Sequence, residues 1–168
     1  SWEQKRITTA DELVEEFWNV VKFYTTMKAP KWSSYRVEPY YCVPFYALSA
    51  NCILDCVIQA KTSLYNHEFC NQSAMLVKTQ DFSKIICIGD IHGCIASLCR
   101  VLMMCKNNEG IFLDDPPTKI HEDCAIVFTG DLLDRGCWGF HVLAIVLMLQ
   151  QQNPDNVILC YGNHETCP

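Results

Sequence analysis

Basic character is what this sequence has least of. Lysine and arginine together number 13 against 19 acidic residues, the net charge is -6, and no Lys/Arg block occurs anywhere. Nothing here marks a nucleic-acid-binding surface, so nucleic acid is not an expected partner. Long apolar runs are missing too. The longest, residues 142–149, is far short of the roughly 20 residues that span a bilayer and suits a buried helix, so no membrane association is expected. There is no internal repeat and no low-complexity segment; no signal peptide is visible at the start, and Ser1 rather than Met opens the given sequence, which reads as a boundary left by processing or expression. What remains is a chain of 168 residues, half of them hydrophobic, enough to bury one core.

Cysteine, by contrast, is plentiful, at 12 residues. Several lie inside apolar runs: Cys87 in KIICIG, Cys124 in DCAIVF and Cys160 in NVILCY. Cysteine packs there as a small hydrophobe, so buried free thiols are expected, in an intracellular, reducing (cytoplasmic) setting rather than a disulfide scaffold.

The order of elements follows from spacing. Thr9-Ala10-Asp11-Glu12 has the Thr-x-x-Glu pattern of a capping box, and Leu13, Phe17, Val20, Val21 and Tyr24 follow at helical intervals, predicting a helix of about 15 residues. Residues 29–44 contain three prolines and read as an irregular crossing; residues 44–64 return to a helical period. Residues 1–80 are thus expected to form a mainly helical segment. From residue 81 the character changes. KIICIG, CAIVFTG and VILCYG are short apolar or β-branched runs that each end in glycine, and they read as strands buried on both faces. Ile95, Leu98, Leu102 and Cys105 make a helical stripe between the first two, and residues 138–149 form an apolar helix between the second and third. Residues 107–122 are expected as a long inserted loop. The fold class is α/β, a parallel βαβαβ unit over 84–165, and functional residues in such a sheet gather at the C-terminal strand ends.

Each strand exit carries groups that bind metal or phosphate: Gly89-Asp90-Ile91-His92-Gly93, then Gly130-Asp131-Leu132-Leu133-Asp134-Arg135-Gly136, then Gly162-Asn163-His164-Glu165. Neighbouring parallel strands would bring Asp90, His92, Asp131 and Asn163 within a few ångströms. Carboxylate, imidazole and amide oxygen suit Mn, Fe or Zn, and Arg135 offers the planar fork that grips a phosphate.

With GDxHG, GDxxDRG and GNHE in order, the sequence resembles the metal-dependent serine/threonine protein phosphatases of the phosphoprotein phosphatase type, a metallophosphoesterase family. The likeness extends upstream through AKTSLYNHEFCNQSAMLVK and into the third block through NPDNVILCYGNHE, covering about residues 55–165. The resemblance implies that the βαβαβ unit is half of a two-sheet sandwich and that residues 81–168 are the N-terminal half of the catalytic domain, truncated after GNHE. It implies two metal ions: Asp90 and His92 on the first, Asp131 bridging, Asn163 on the second. A hydroxide shared by the metals would attack phosphorus, His164 would protonate the leaving group, Asp134 would orient His164, and Arg135 would bind phosphoryl oxygens of a phosphoprotein substrate.

The family's two further histidines and second arginine lie beyond its third block, and no motif assigns them to His67, His121 or His141. The first-metal set is complete here and the second is not. The isolated chain is therefore expected to be nearly inactive and to associate with a missing C-terminal half, another subunit or itself. Cys94, Tyr161, Gly139 and His141 depart from the family's usual Gln, Arg, Ser and Glu, which bears on substrate preference and inhibitor sensitivity. Three rival readings compete. Cys94 and Arg100 have the Cys-x5-Arg spacing of a cysteine-dependent phosphatase, without its loop glycines. Cys52, Cys56, His67 and Cys70 have spacings that a structural zinc can use. The third rival is a non-catalytic, phosphatase-like interaction or structural subunit.

Overall fold

A computed structural model describes residues 5–26, 46–66 and 81–165. Five strands and four helices alternate in these segments: β1 (Lys5–Ile7), α1 (Ala10–Thr25), β2 (Tyr46–Leu48), α2 (Ala50–Asn66), β3 (Lys84–Ile88), α3 (Ile95–Asn107), β4 (Cys124–Phe128), α4 (Gly139–Gln152) and β5 (Val157–Leu159).

Helix α1 begins where its sequence provides a cap. Thr9 is extended, and its hydroxyl accepts the Glu12 N–H at 3.2 Å. The Glu12 carboxylate in turn takes the N–H and hydroxyl of Thr8, one residue before the cap, at 2.7 and 2.9 Å. The face that becomes buried is the expected stripe of Leu13, Phe17, Val20, Val21 and Tyr24. Ahead of α2 the helical period of residues 44–64 is interrupted by β2, which pairs in parallel with β1 as a two-stranded sheet. The mainly helical lead-in therefore holds a small sheet as well. The three-proline crossing falls outside the described residues.

The central feature is a three-stranded parallel sheet in the order β3-β4-β5. Its register aligns Ile88 with Phe128 and Phe128 with Leu159, so all three strands end side by side. Helix α1 rests on α3 and α2 on α4. Burial on both faces holds for the middle strand alone: β4 is buried at four of its five positions, whereas β3 and β5 are largely half-exposed edges. The same edge position corrects the reading of the thiols. Cys124 is buried, but Cys87 and Cys160 are exposed, while Cys52, Cys56, Cys99 and Cys105 fill the core; all nine described cysteines are free.

The inserted loop is packed down. Phe112 and Ile120 form an antiparallel bridge, and Ile111, Phe112 and Ile120 are buried. Trp18 of α1 stacks edge-on against Phe112 at 5.0 Å and donates its indole N–H to the Pro117 carbonyl at 2.8 Å. From the other side, buried Asn153 accepts the Ile120 N–H and donates to the Thr118 carbonyl. Both contacts tie distant segments, which local periodicity does not report. No described helix is long and apolar enough to cross a membrane.

Candidate metal centre at the strand exits

Where β3, β4 and β5 end, their exits are laced together through the backbone. The Ile91 and His92 N–H groups donate to the Asp131 carbonyl, Gly93 N–H to Leu132 and Gly136 N–H to the His92 carbonyl, at 2.8–3.1 Å. This approach needs glycine on both sides. A Cβ on Gly136 would sit 2.5 Å from the His92 carbonyl oxygen, and one on Gly93 would sit 2.7 Å from that of Gly136. A Cβ on Gly130 would strike the Gly162 backbone, and one on Gly162 would strike Asp131 and the Glu165 carboxylate. Gly89 differs, since a Cβ there would meet nothing within 4 Å. Four non-glycine residues of these exits adopt left-handed backbone: His92, Asp131, Asp134 and Arg135, with φ between 46° and 64°. Such conformations each cost on the order of 1–3 kcal/mol and concentrate at functional sites.

The side chains converge accordingly. His92 is buried, and its Nδ1 lies 3.1 Å from the Leu133 carbonyl. A carbonyl can only accept, so Nδ1 donates to it, and Nε2 faces Asp90 Oδ2 at 3.7 Å and Asp131 Oδ2 at 3.9 Å. Those two carboxylate oxygens are therefore at most 7.6 Å apart, the sum of the two distances. Asp131 is buried and its Oδ1 accepts the His164 N–H at 2.9 Å, whereas Asp90 is largely exposed. Asn163, also exposed, directly precedes His164 in this turn. Imidazole nitrogen and carboxylate oxygens brought together at the strand exits make a donor set that fits a divalent metal ion.

By geometry alone the tightest metal-competent group among the described residues is His92, Asp131 and His164, with one ligand atom of each within 4.8 Å of the others. His164 stands edge-on to His92, ring centroids 4.8 Å apart. It is also held from two other sides. Asp134 Oδ2 is 3.0 Å from its Nδ1, and Arg135 Nη2 is 3.2 Å from its Nε2. Guanidinium only donates and carboxylate only accepts, so these partners make Nε2 the acceptor and Nδ1 the donor.

One residue of the third exit escaped the sequence reading of site residues. Glu165 accepts backbone N–H groups from Asp131, Leu132, Leu133 and Gly162. Burial pushes its carboxyl up, and these bonds outweigh burial and hold it below the usual carboxylate range. An acidic residue at the end of a motif was the available signal, but its bonds span up to 34 residues.

The rival sites do not assemble among the described residues. Cys94 caps α3 and faces Ser97, while Arg100 lies within the helix, so no phosphate loop surrounds the thiol. Cys52 and Cys56 are core residues. The hydrogen bond between them pushes the Cys56 thiol up and holds the Cys52 thiol down, and among the described residues no further ligand joins the pair. His67 and Cys70 lie outside the described residues. His121 sits at the opposite end of β4 from the exits, where its carbonyl accepts the Cys124 N–H. His141 lies on α4 against the Trp138 ring.

Comparison with known proteins agrees with this architecture. A family model described as calcineurin-like phosphoesterase matches residues 83–168. Over 140 residues, 83% of this chain, the sequence is 28% identical to serine/threonine-protein phosphatase 7 of Arabidopsis thaliana, covering 30% of that protein. It is 36% identical to Shewanella-like protein phosphatase 1 of Plasmodium berghei over 49% of this chain and 22% of that protein. It is 35% identical to the serine/threonine-protein phosphatase 4 catalytic subunit of Eremothecium gossypii over 46% of this chain and 21% of that one. The chain thus spans less than a third of the length of these curated relatives. The family model covers half the chain and all three strand exits, and the chain belongs to the calcineurin-like phosphoesterase family.

Proposed function

We propose that the chain serves the hydrolysis of phosphoserine and phosphothreonine monoesters in proteins, carrying the first half of a two-cation site. One observation supports this above all: ligand atoms of His92, Asp131 and His164, drawn from three strand exits, lie within 4.8 Å of one another beside Arg135. The names of relatives such as serine/threonine-protein phosphatase 7 and the phosphatase 4 catalytic subunit support a phosphoprotein substrate.

Asp90, His92 and Asp131 would hold the first cation, and Asp131 and Asn163 would contribute to a second. Cations bound there supply Lewis-acid neutralisation of phosphate charge and bring the pKa of water toward 7. The remaining work falls to side chains. Arg135, exposed at the rim, grips phosphoryl oxygens with its planar fork. Moving onto the phosphate takes its Nη2 away from His164 Nε2, where it sits without substrate. Nε2 is then free to take up a proton from solvent and pass it to the leaving alkoxide, while Asp134 at Nδ1 orients the ring and balances the imidazolium charge in between. No motif in these residues supplies the two histidines that complete the family's second cation, so turnover by this chain alone is expected to be slow.

Phosphate capture tests the reading separately from turnover. With Mn2+ present, the chain should bind a phosphoserine peptide in preference to its unphosphorylated form, and Arg135→Ala should weaken that binding at least tenfold. Equal binding of both peptides, or indifference to Arg135→Ala, would reject it.

A further inference from the structure

The carboxylate of Glu165 spans two strand exits. Its Oε2 accepts the Asp131 N–H at 2.7 Å and the Gly162 N–H at 3.0 Å; its Oε1 accepts Leu132 at 2.8 Å and, more weakly, Leu133 at 3.4 Å. Asp131 sits at φ 51°, a conformation that disfavours any residue with a Cβ. Its remaining polar atoms are tied down as well. The carbonyl takes the Ile91 and His92 N–H groups and Oδ1 takes the His164 N–H, which leaves Oδ2 turned toward His92 Nε2. Of these ties, the bond at the Asp131 N–H is the one that another residue's side chain makes to the Asp131 backbone.

We infer that Glu165 is a positioning residue, whose carboxylate holds the β4 exit in the left-handed turn that aims Asp131 Oδ2 into the cation site. The inference rests on the reading of that site as a metal centre. Only a carboxylate satisfies the geometry. It is acceptor-only on both oxygens, and here both oxygens receive N–H groups. A glutamine keeps one acceptor oxygen and turns an NH2 donor against the donors on the other side. Aspartate keeps the acceptors but is one methylene too short to reach both exits.

The test uses the full 168-residue chain with Glu165→Gln. Hydrogen exchange followed by NMR should show the Asp131, Leu132 and Gly162 amides losing protection while the β4 amides keep theirs. Calorimetric titration with Mn2+ should show affinity weakened about tenfold or more, the size typical of lost partners behind metal ligands. A merely structural glutamate would lower the unfolding midpoint and leave the Mn2+ affinity of the folded protein unchanged. Should Glu165→Gln not fold, Glu165→Asp supplies the same two readouts with the same expected direction. Preserved amide protection, or Mn2+ affinity equal to that of the parent, overturns the inference. A parent chain that binds no Mn2+ overturns the metal-centre reading and the inference with it, an outcome distinct from a parent that binds while Glu165→Gln binds equally well.

Discussion

At the scale of single residues, the exits work by fixing which atom is left over. His92 donates from Nδ1 and leaves Nε2; Asp131 accepts at Oδ1 and leaves Oδ2. Asp131→Asn keeps the size of the side chain but removes its charge, and where the amide NH2 takes the Oδ1 position it sets a donor against the His164 N–H. Mn2+ affinity should fall at least tenfold, and calorimetry that finds it unchanged would remove Asp131 from the ligand set. His141 gives a prediction of a different kind. Burial pulls its imidazole down to about 4 from an ordinary value of 6.5. The unfolded chain therefore takes up this proton first as pH falls, so stability is intact above about 6.5 and declines between there and about 4. The loss from this group amounts to about 3 kcal/mol at most. Thermal unfolding of the parent and His141→Gln, compared at pH 7 and pH 4.5, should show a smaller acid shift in the variant; equal shifts would mean that His141 is protonated without cost in the folded state.

At the scale of elements, the glycines of the motifs do different jobs although they look alike in sequence. Gly136→Ala would force a Cβ against the carbonyl of His92 and the backbone of Gly93, none of which can yield without parting the β3 and β4 exits. A destabilisation of about 2 kcal/mol or more is expected. Gly89→Ala meets open space and should stay within about 0.5 kcal/mol of the parent. Urea unfolding of the pair decides it, and equal midpoints would show that the exits are looser than described. This contrast marks how far the sequence was legible. Helix α1 was readable because its cap and its stripe are local, within a few turns of one another. The three strands were readable from apolar runs closed by glycine. The β1–β2 pairing was not, because two three-residue strands 41 positions apart carry no periodic signal. Nor was the half-exposure of β3 and β5, which depends on what lies beside an edge rather than on the strand's own residues. The Glu165 bonds and the Trp18 and Asn153 anchors failed for the same reason: each joins segments distant in sequence.

At the scale of the whole molecule, the described segments bury one core, yet β3 and β5 remain half-exposed and Leu54, Ile58, Phe140 and Tyr161 are each more than half exposed. Apolar surface of this kind favours association, so the purified chain is expected to self-associate in sedimentation and to hydrolyse phosphopeptide well below about 1 per second. A monomer turning over faster than that would contradict the half-site reading. One part of this reading is directly accessible: the strand exits build a first cation site in which His92 Nε2 is a ligand. His164 lies as near and is assigned to proton transfer instead, so the two histidines must be read apart. Pulsed electron paramagnetic resonance of the Mn2+-loaded chain should show nitrogen coupling from a coordinated imidazole. That coupling should vanish in His92→Ala and persist in His164→Ala. Mn2+ without nitrogen coupling in the parent, or coupling that survives His92→Ala, would contradict the account.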